Sequence, residues 1–330
     1  MEQRHLGRTG LRVSRIGLGT LTWGRCAGGP DEAGAAEQMK AFWEAGGTLV
    51  DTADVYGGGE AEYVLGQLMD GLVPRRDLVI ATKSGSVRDP DRRVDCSRGH
   101  LLAALDDSLA RLGTDHVDLW QVHAFDPATP LEETLQAVDL AVSSGRARYA
   151  GVAGFSGWQL AKAATWQLAA PGVRTRLAST QMEYSLLQRG VEREVLPAAL
   201  DLGIGLLPSS PLGRGVLTGK YRGGTPVDSR AASPTLSAFV DPYLDEAAGR
   251  IVDAVATAAQ GLAVTPLQVA LAWIRDRPGV VAPVVGARTA AQLGAALSVE
   301  ALSLPVEICQ ALDDVSAPVH RYPDQDWSTL

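Results

Sequence analysis

Short apolar runs that end in a polar residue, each followed by a segment of helical periodicity, recur along this chain. Residues 4–16 alternate in polarity around Gly7-Arg8-Thr9-Gly10, the pattern of a β-hairpin. Ile16–Leu21 follows as a buried strand and leads into a loop with Trp23, Cys26, Gly28, Gly29 and Pro30. Asp31 is placed to cap a helix whose apolar residues Ala35, Ala36, Met39, Phe42 and Trp43 follow helical spacing. The next run, Gly47 to Val50, ends at Asp51. Tyr56 follows in a glycine-rich loop, and Glu60 to Met69 reads as a helix. Leu78–Thr82 then ends at Lys83, and Ser97 is placed to cap an amphipathic helix with Leu101, Leu105, Leu109 and Leu112 on one face.

The alternation continues to the end. Val117–Val122 ends at His123, and the helix from Leu131 to Ser144 stops at Gly145. Arg148–Val152 meets Ala153-Gly154, with a helix from Trp158. Leu177–Thr180 ends near Gln181 and Glu183, and Gly203–Leu207 runs into Pro208-Ser209-Ser210-Pro211-Leu212-Gly213-Arg214-Gly215. An irregular stretch over about 213–242, rich in Gly, Ser and Pro, has the length of a loop laid over a ligand. Helices over about 244–260 and 265–276 precede a last strand, Val280–Val285. Gly286-Ala287-Arg288-Thr289 opens a further helix, and 305–330 forms a final helix and tail.

Eight strand–helix repeats at roughly 30-residue spacing predict an α/β fold of the (β/α)8 TIM-barrel type. It carries an N-terminal β-hairpin and extra C-terminal helices, and takes residues 1–330 as one domain. The strands are apolar runs, not alternating ones, as parallel strands covered on both sides require. Asp51, Lys83, His123, Gln181, Ser210 and Arg288 fall at the C-terminal ends of different strands, which in this fold is one face.

Composition narrows the partners. The hydrophobic share of 46% and charged share of 21% are those of a globular protein with a sizeable core. With 30 basic and 38 acidic residues the formal charge is −8, and no Lys/Arg run favours nucleic acid or a membrane surface. Cys26, Cys96 and Cys309 lie far apart without a CxxC, which is neither a disulfide framework nor a zinc pattern; no metal is expected. No run of about 18 apolar residues and no signal-type apolar core occur, so a cytoplasmic location is expected.

Asp51, Tyr56, Lys83 and His123 at one barrel mouth suggest a chemistry. Taken singly, each has a structural reading as a salt bridge, a cap or a loop histidine. Together they can protonate a carbonyl. A lysine cation lowers the pKa of a neighbouring tyrosine, an aspartate holds the lysine, and a neutral histidine orients the substrate oxygen. Hydride must come from elsewhere, which implies a nicotinamide cofactor.

In these residues the chain resembles the aldo-keto reductase family, in particular its bacterial members of the potassium-channel β-subunit-like branch. The matching pieces are Leu6-Gly-Arg-Thr-Gly-Leu-Arg-Val-Ser, Asp51-Thr-Ala-Asp-Val-Tyr56-Gly, Ala81-Thr-Lys83 and Asp118-Leu-Trp-Gln-Val-His123. Gln181-Met-Glu-Tyr-Ser-Leu-Leu, Ser210-Pro-Leu-Gly-Arg-Gly-Val-Leu-Thr-Gly-Lys220-Tyr and Gly286-Ala-Arg288-Thr-x-x-Gln292-Leu complete them, in family order over nearly the whole chain. The resemblance implies a catalytic tetrad of Asp51, Tyr56, Lys83 and His123, with Tyr56 as general acid and NADPH as the usual cofactor. It further implies that Gln181 holds the nicotinamide carboxamide and that Tyr184 stacks on the ring. Ser210, Leu212 and Arg214 would follow the pyrophosphate, and Arg288, Thr289 and Gln292 would meet the adenosine 2′-phosphate. Gly19, Thr20, Trp23, Ala153, Gly154 and Gly286 complete the expected cofactor contacts, and Trp23, Phe125 and Trp158 the expected substrate pocket.

Two departures bear on the cofactor. The family usually has Ser-Asn where this chain has Ala153-Gly154, and Glu-Asn where it has Ala295-Ala296. Each lost polar contact costs on the order of 1 kcal/mol, so cofactor binding is expected to be looser or to draw on backbone, water or a neighbouring subunit. Ala124 follows His123 where many relatives are bulky or basic, which favours a large ketone. The Ala-, Arg- and Gly-rich composition suggests a polyketide-type one. A sugar-nucleotide deoxyhexose ketone or enone reductase and a cofactor-sensing regulatory subunit are the alternatives. Relatives occur as monomers and as rings, so a homo-oligomer stays open.

Overall fold

The hairpin forms from β1 (Gln3–His5) and β2 (Arg12–Ser14), antiparallel with Arg4 opposite Val13. The computed structural model describes all residues except 25–28, 88, 90, 170, 173, 228, 234–235 and 319–330; Cys26 and Gly28 thus lie outside the described residues. Eight parallel strands follow: β3 (Gly17–Gly19), β4 (Leu49–Asp51), β5 (Val79–Ser84), β6 (Val117–Val122), β7 (Ala147–Ala153), β8 (Leu177–Glu183), β9 (Gly205–Ser209) and β10 (Val284–Val285). From β3 to β8 each pairs with the next in chain order, and β10 returns to pair with β3. A single bridge, Leu206 to Val280, joins β9 to the approach to β10. This is the TIM barrel.

Helices alternate with the strands: α1 (Glu32–Glu44), α2 (Glu60–Gly71), α3 (Arg98–Leu112), α4 (Leu131–Ser143), α5 (Gly157–Ala169) and α6 (Val195–Leu202). After β9 come α7 (Ser237–Val240), α8 (Glu246–Gly261) and α9 (Pro266–Arg275), and α10 (Ala290–Leu297) and α11 (Val306–Val315) end the described chain. Asp31 caps α1, its carboxylate accepting the Gly34 N–H at 2.9 Å. Ser97 stands at the N-cap of α3 but makes no side-chain cap bond. The Glu133 carboxylate of α4 accepts the Arg98 N–H instead, at 3.0 Å.

Successive residues of a strand point to opposite sides, and here the two sides feed two cores. Leu49, Ala81, Leu119, Ala178 and Leu207 fill the barrel interior with Leu6 and Val13 of the hairpin. Their neighbours Val50, Ile80, Trp120 and Leu206 pack outward against the helix layer. The hairpin therefore plugs the floor. Its turn presses so close that a Cβ on Gly7 (φ +57°) would lie 2.6 Å from the Gly203 carbonyl and 2.8 Å from that of Ala178, so only glycine fits.

Two strands differ from the expected bounds for local reasons. β9 starts at Gly205, not Gly203, because Gly203 is the left-handed C-cap of α6 (φ +70°). The last strand pairs regularly only at Val284–Val285, because Pro283 brings no N–H to the ladder; its carbonyl accepts from Gly17 at 3.0 Å. Among its described residues, the stretch over 213–242 holds 3-10 turns at Gly213–Thr218 and Arg230–Ala232 and the short α7. Among the described residues, no single helix is long and apolar enough to cross a membrane.

Leu119 is fully buried at the centre of the interior cluster. We expect Leu119→Ala to cost about 2–5 kcal/mol in denaturant unfolding, the usual range for a leucine lost from a packed core.

Candidate active site

β4 and β5 lie side by side, with Asp51 pairing in register with Ala81, and their polar ends meet at the mouth of the barrel. Lys83 is fully buried, and its ammonium lies 2.6 Å from Asp51 Oδ2. It donates a second hydrogen bond to the Thr52 carbonyl at 2.9 Å, and hydrogen-bonds the Tyr56 hydroxyl. An ammonium has three N–H donors, and these three acceptors account for all of them. The other carboxylate oxygen of Asp51, Oδ1, accepts from Gln181 Nε2 at 2.8 Å, which ties β4 to β8 across the barrel.

Burial lowers the pKa of Lys83, but Asp51 and Tyr56 outweigh it and leave the pKa raised, so the group is a fixed cation. Burial also pushes Tyr56 up, and the Lys83 cation pulls it back only in part, so its pKa stays above the usual tyrosine value. The lowering by the lysine is present as expected, and burial exceeds it. The phenol keeps its proton at ordinary pH, and the Lys83 cation would stabilise the phenolate if that proton were lost.

His123 packs its ring edge-on to Tyr56, with centroids 6.0 Å apart. Burial and then the Lys83 cation push its pKa down to about 3, so the imidazole is neutral at ordinary pH. Its Nδ1 is buried without a protein partner. Among the described residues no group of three or more His, Cys, Asp or Glu is placed to hold a metal ion.

A cleft of about 770 Å³ of empty space, part of it open solvent, runs from Asp51 and Tyr56 along Gln181, Ser209, Ser210, Pro211 and Leu212. Gly19, Leu21, Thr22, Val284, Val285 and Gly286 form its opposite bank, and Arg214, Arg230 and Phe239 close its end. Gly19, Gln181, Ser210, Leu212, Arg214 and Gly286, expected as cofactor contacts, all line this cleft. Arg214, however, is already engaged. Its guanidinium donates to both Glu183 oxygens (2.9 and 2.5 Å) and to the Phe239 carbonyl at 2.6 Å, and lies 4.1 Å from the Phe239 ring centroid and 5.0 Å from that of Tyr243.

Other expected residues stand elsewhere. Tyr184 is fully buried, edge-on to Trp273, and its hydroxyl donates to Glu192 at 2.6 Å, so it does not face the cleft. Ser209 occupies the cleft wall at the end of β9. Trp23 is likewise fully buried, its Nε1–H donating to Gln38 at 3.1 Å; Leu21 and Thr22 form the wall instead. Thr20 is spent on the fold, its N–H and hydroxyl donating to the Asp51 carbonyl. Thr289 caps α10 by accepting the Gln292 N–H, and the Gln292 side chain accepts the Arg288 N–H, so this trio builds the helix start beyond Gly286. Phe125 and Trp158 stack edge-on at 5.7 Å outside the cleft, with Trp158 58% exposed. Ala153 is buried, and Gly154 is left-handed (φ +65°) beside His123.

Besides the unexpected cleft residues, Glu183, Tyr243, Asp54 and Glu62 at the site were missed. Glu183 and Tyr243 hold Arg214, the Tyr243 hydroxyl donating to Glu183 Oε1 at 3.0 Å. Asp54 and Glu62 are acidic groups behind Tyr56. Glu62 is fully buried, accepts the Thr82 hydroxyl at 2.5 Å and pairs with Arg111 at 2.7 Å. A glutamate among Ala61, Val64 and Leu65 on the buried face of α2 was the available signal.

Comparison with known proteins gives a consistent picture. The model of the Aldo/keto reductase family matches residues 15–317. An uncharacterized oxidoreductase, YrpG, of Bacillus subtilis is 37% identical over 96% of both chains. A probable voltage-gated potassium channel subunit beta of Oryza sativa is 35% identical over 98% of both. The versiconal hemiacetal acetate reductase of Aspergillus parasiticus is 29% identical over 98% of this chain and 100% of its own.

The depressed pKa of His123 has a consequence for stability. The unfolded chain takes up a proton on this imidazole below about pH 6.5, whereas the folded state resists until about pH 3. The stability it contributes is complete above 6.5 and is lost as pH falls toward 3. We expect the urea midpoint of the wild type to drop relative to that of His123→Asn across this window. Parallel curves would show that the imidazole is not held neutral.

Proposed function

The chain belongs to the aldo/keto reductase family and is an oxidoreductase of it, and on that premise we propose an NADPH-dependent carbonyl reductase with Tyr56 as general acid. The observation that carries the reading is the saturated Lys83 ammonium, held by Asp51 and Thr52 and aimed at the Tyr56 hydroxyl. In the proposed reaction Tyr56 gives its proton to the substrate oxygen, and the resulting tyrosinate is stabilised by the Lys83 cation. Neutral His123 donates an N–H to the same oxygen and fixes its direction. The nicotinamide, when bound, supplies the hydride that no side chain can carry.

The cleft suits such a cofactor. It combines an amide (Gln181), two serine hydroxyls and two arginines, Arg214 and Arg230, a donor set fitted to phosphate oxygens. Arg288 at the start of α10 is the proposed partner of a 2′-phosphate, with Thr289 and Gln292 shaping its loop. The β-subunit relatives suggest a sensing role as the alternative. The complete constellation of Asp51, Tyr56, Lys83 and His123 favours catalysis.

A bulky carbonyl substrate is the class we propose. Beside His123 the wall is bare backbone: a Cβ on Gly154 would sit 3.6 Å from the His123 carbonyl and 3.8 Å from Ala124 Cα, in ordinary contact. Phe155, Phe125 and Trp158 continue this wall outward as an edge-to-face row. The Aspergillus relative, named for a hemiacetal acetate, is consistent with a large ligand.

Tyr56→Phe should lower kcat for NADPH-dependent carbonyl reduction by about 10²-fold or more while NADPH still quenches tryptophan fluorescence. Full activity in this variant would sink the assignment. Separately, Ala153→Ser with Gly154→Asn should tighten NADPH binding by roughly tenfold, since asparagine tolerates a left-handed backbone and a Cβ there meets its neighbours only at ordinary contact distance. An unchanged or weaker Kd in that double variant would show that the cofactor lies elsewhere.

A further inference from the structure

Asp54 stands between the two members of the Asp51…Tyr56 pair and has no part in the chemistry described so far. Its backbone N–H donates to the Lys83 carbonyl at 3.1 Å, which pins the loop against β5. One carboxyl oxygen accepts the Val55 N–H; the other, Oδ1, is buried and has no hydrogen-bond partner. The charges facing it are Glu62 from α2, Arg111 from α3 and Lys83 from β5, with Tyr56 in its own loop.

These charges already cancel without it. Lys83 is paired with Asp51 at 2.6 Å, and Arg111 with Glu62 at 2.7 Å. An ionised Asp54 would add a negative charge with no cation left over, in a place where burial already penalises it. A protonated carboxyl removes that charge and gives the group an O–H donor.

We propose that Asp54 is a positioning residue that carries a proton in the working enzyme, and that losing this proton weakens acid delivery by Tyr56. This rests on the carbonyl-reductase reading only for its kinetic consequence. Burial and then Glu62 push the Asp54 pKa up to about 7, so the change falls in a usable range of pH. The coupling is electrostatic: a negative Asp54 raises the pKa of Tyr56, and so opposes the tyrosinate that forms when Tyr56 gives its proton to substrate. No proton passes through Asp54 itself.

The test begins with infrared spectra of the full-length wild type, Asp54→Asn and Asp54→Ser between pH 5 and 9. The wild type should show a protonated-carboxyl band that fades as pH rises through about 7 and is missing from both variants. Absence of such a band from the wild type overturns the proposal, whether or not the variants fold. Ultraviolet titration of Tyr56, with Tyr56→Phe as blank, should show its ionisation moving down by on the order of one pH unit in Asp54→Asn. An unmoved titration overturns the coupling. Both readouts are independent of turnover, so a protein that reduces no carbonyl defeats the function proposed above without deciding this one. Where carbonyls are reduced, kcat/KM of the wild type should fall on the order of tenfold as pH rises through about 7, with that limb displaced upward in Asp54→Asn. An identical limb in the variant, or a loss equal at every pH, marks Asp54 as structural only.

Discussion

Everything at the mouth of this barrel depends on the buried ammonium of Lys83. A cation taken out of water is costly unless each of its donors finds an acceptor, and here Asp51, Thr52 and Tyr56 supply the three. Those acceptors come from β4, the turn after it and the loop beyond, and Gln181 reaches Asp51 from β8. The arrangement therefore needs strands from both sides of the barrel in register. Because Asp51 and Lys83 sit on strand ends packed from both sides, the cation that faces the Tyr56 hydroxyl is held by the framework of the fold.

Periodicity was enough to read the barrel, because strand and helix alternate with different hydrophobic periods and the caps at Asp31 and Thr289 are local devices. It was also enough to place Asp51, Lys83 and His123 on one face, since the C-terminal ends of parallel strands share an edge. Side-chain direction was harder to read. Tyr184 and Trp23 are aromatic residues near the mouth, yet both turn into the helix layer, where Trp273 and Gln38 receive them. Nothing in a tyrosine's identity tells which side of a loop it occupies. At Tyr56 the pull of the cation was legible, but the depth of burial that exceeds it was not.

The two ends of the cleft differ in how finished they are. At the acid end each donor and acceptor of Lys83 and Asp51 has its partner. At the other end the polar equipment is present but committed within the protein: Arg214 to Glu183 and to the rings of Phe239 and Tyr243, Thr289 and Gln292 to the cap of α10. A phosphate-bearing ligand there would compete with a bidentate carboxylate for one arginine. Such an arrangement makes affinity a difference between two good interactions.

The interruption at Pro283 acquires a wider meaning from where it falls. Between β9 and β10 the sheet is held by the Leu206–Val280 bridge, through backbone bonds of 3.0 and 2.9 Å on either side of Leu206. Directly above this seam, Ser209 to Leu212 form one bank of the cleft and Val284 to Gly286 the other. A molecule lying across both banks would touch β9 on one side of the seam and β10 on the other. By mass action, any ligand that bridged the two would add its binding free energy to the weakest-paired join of the sheet.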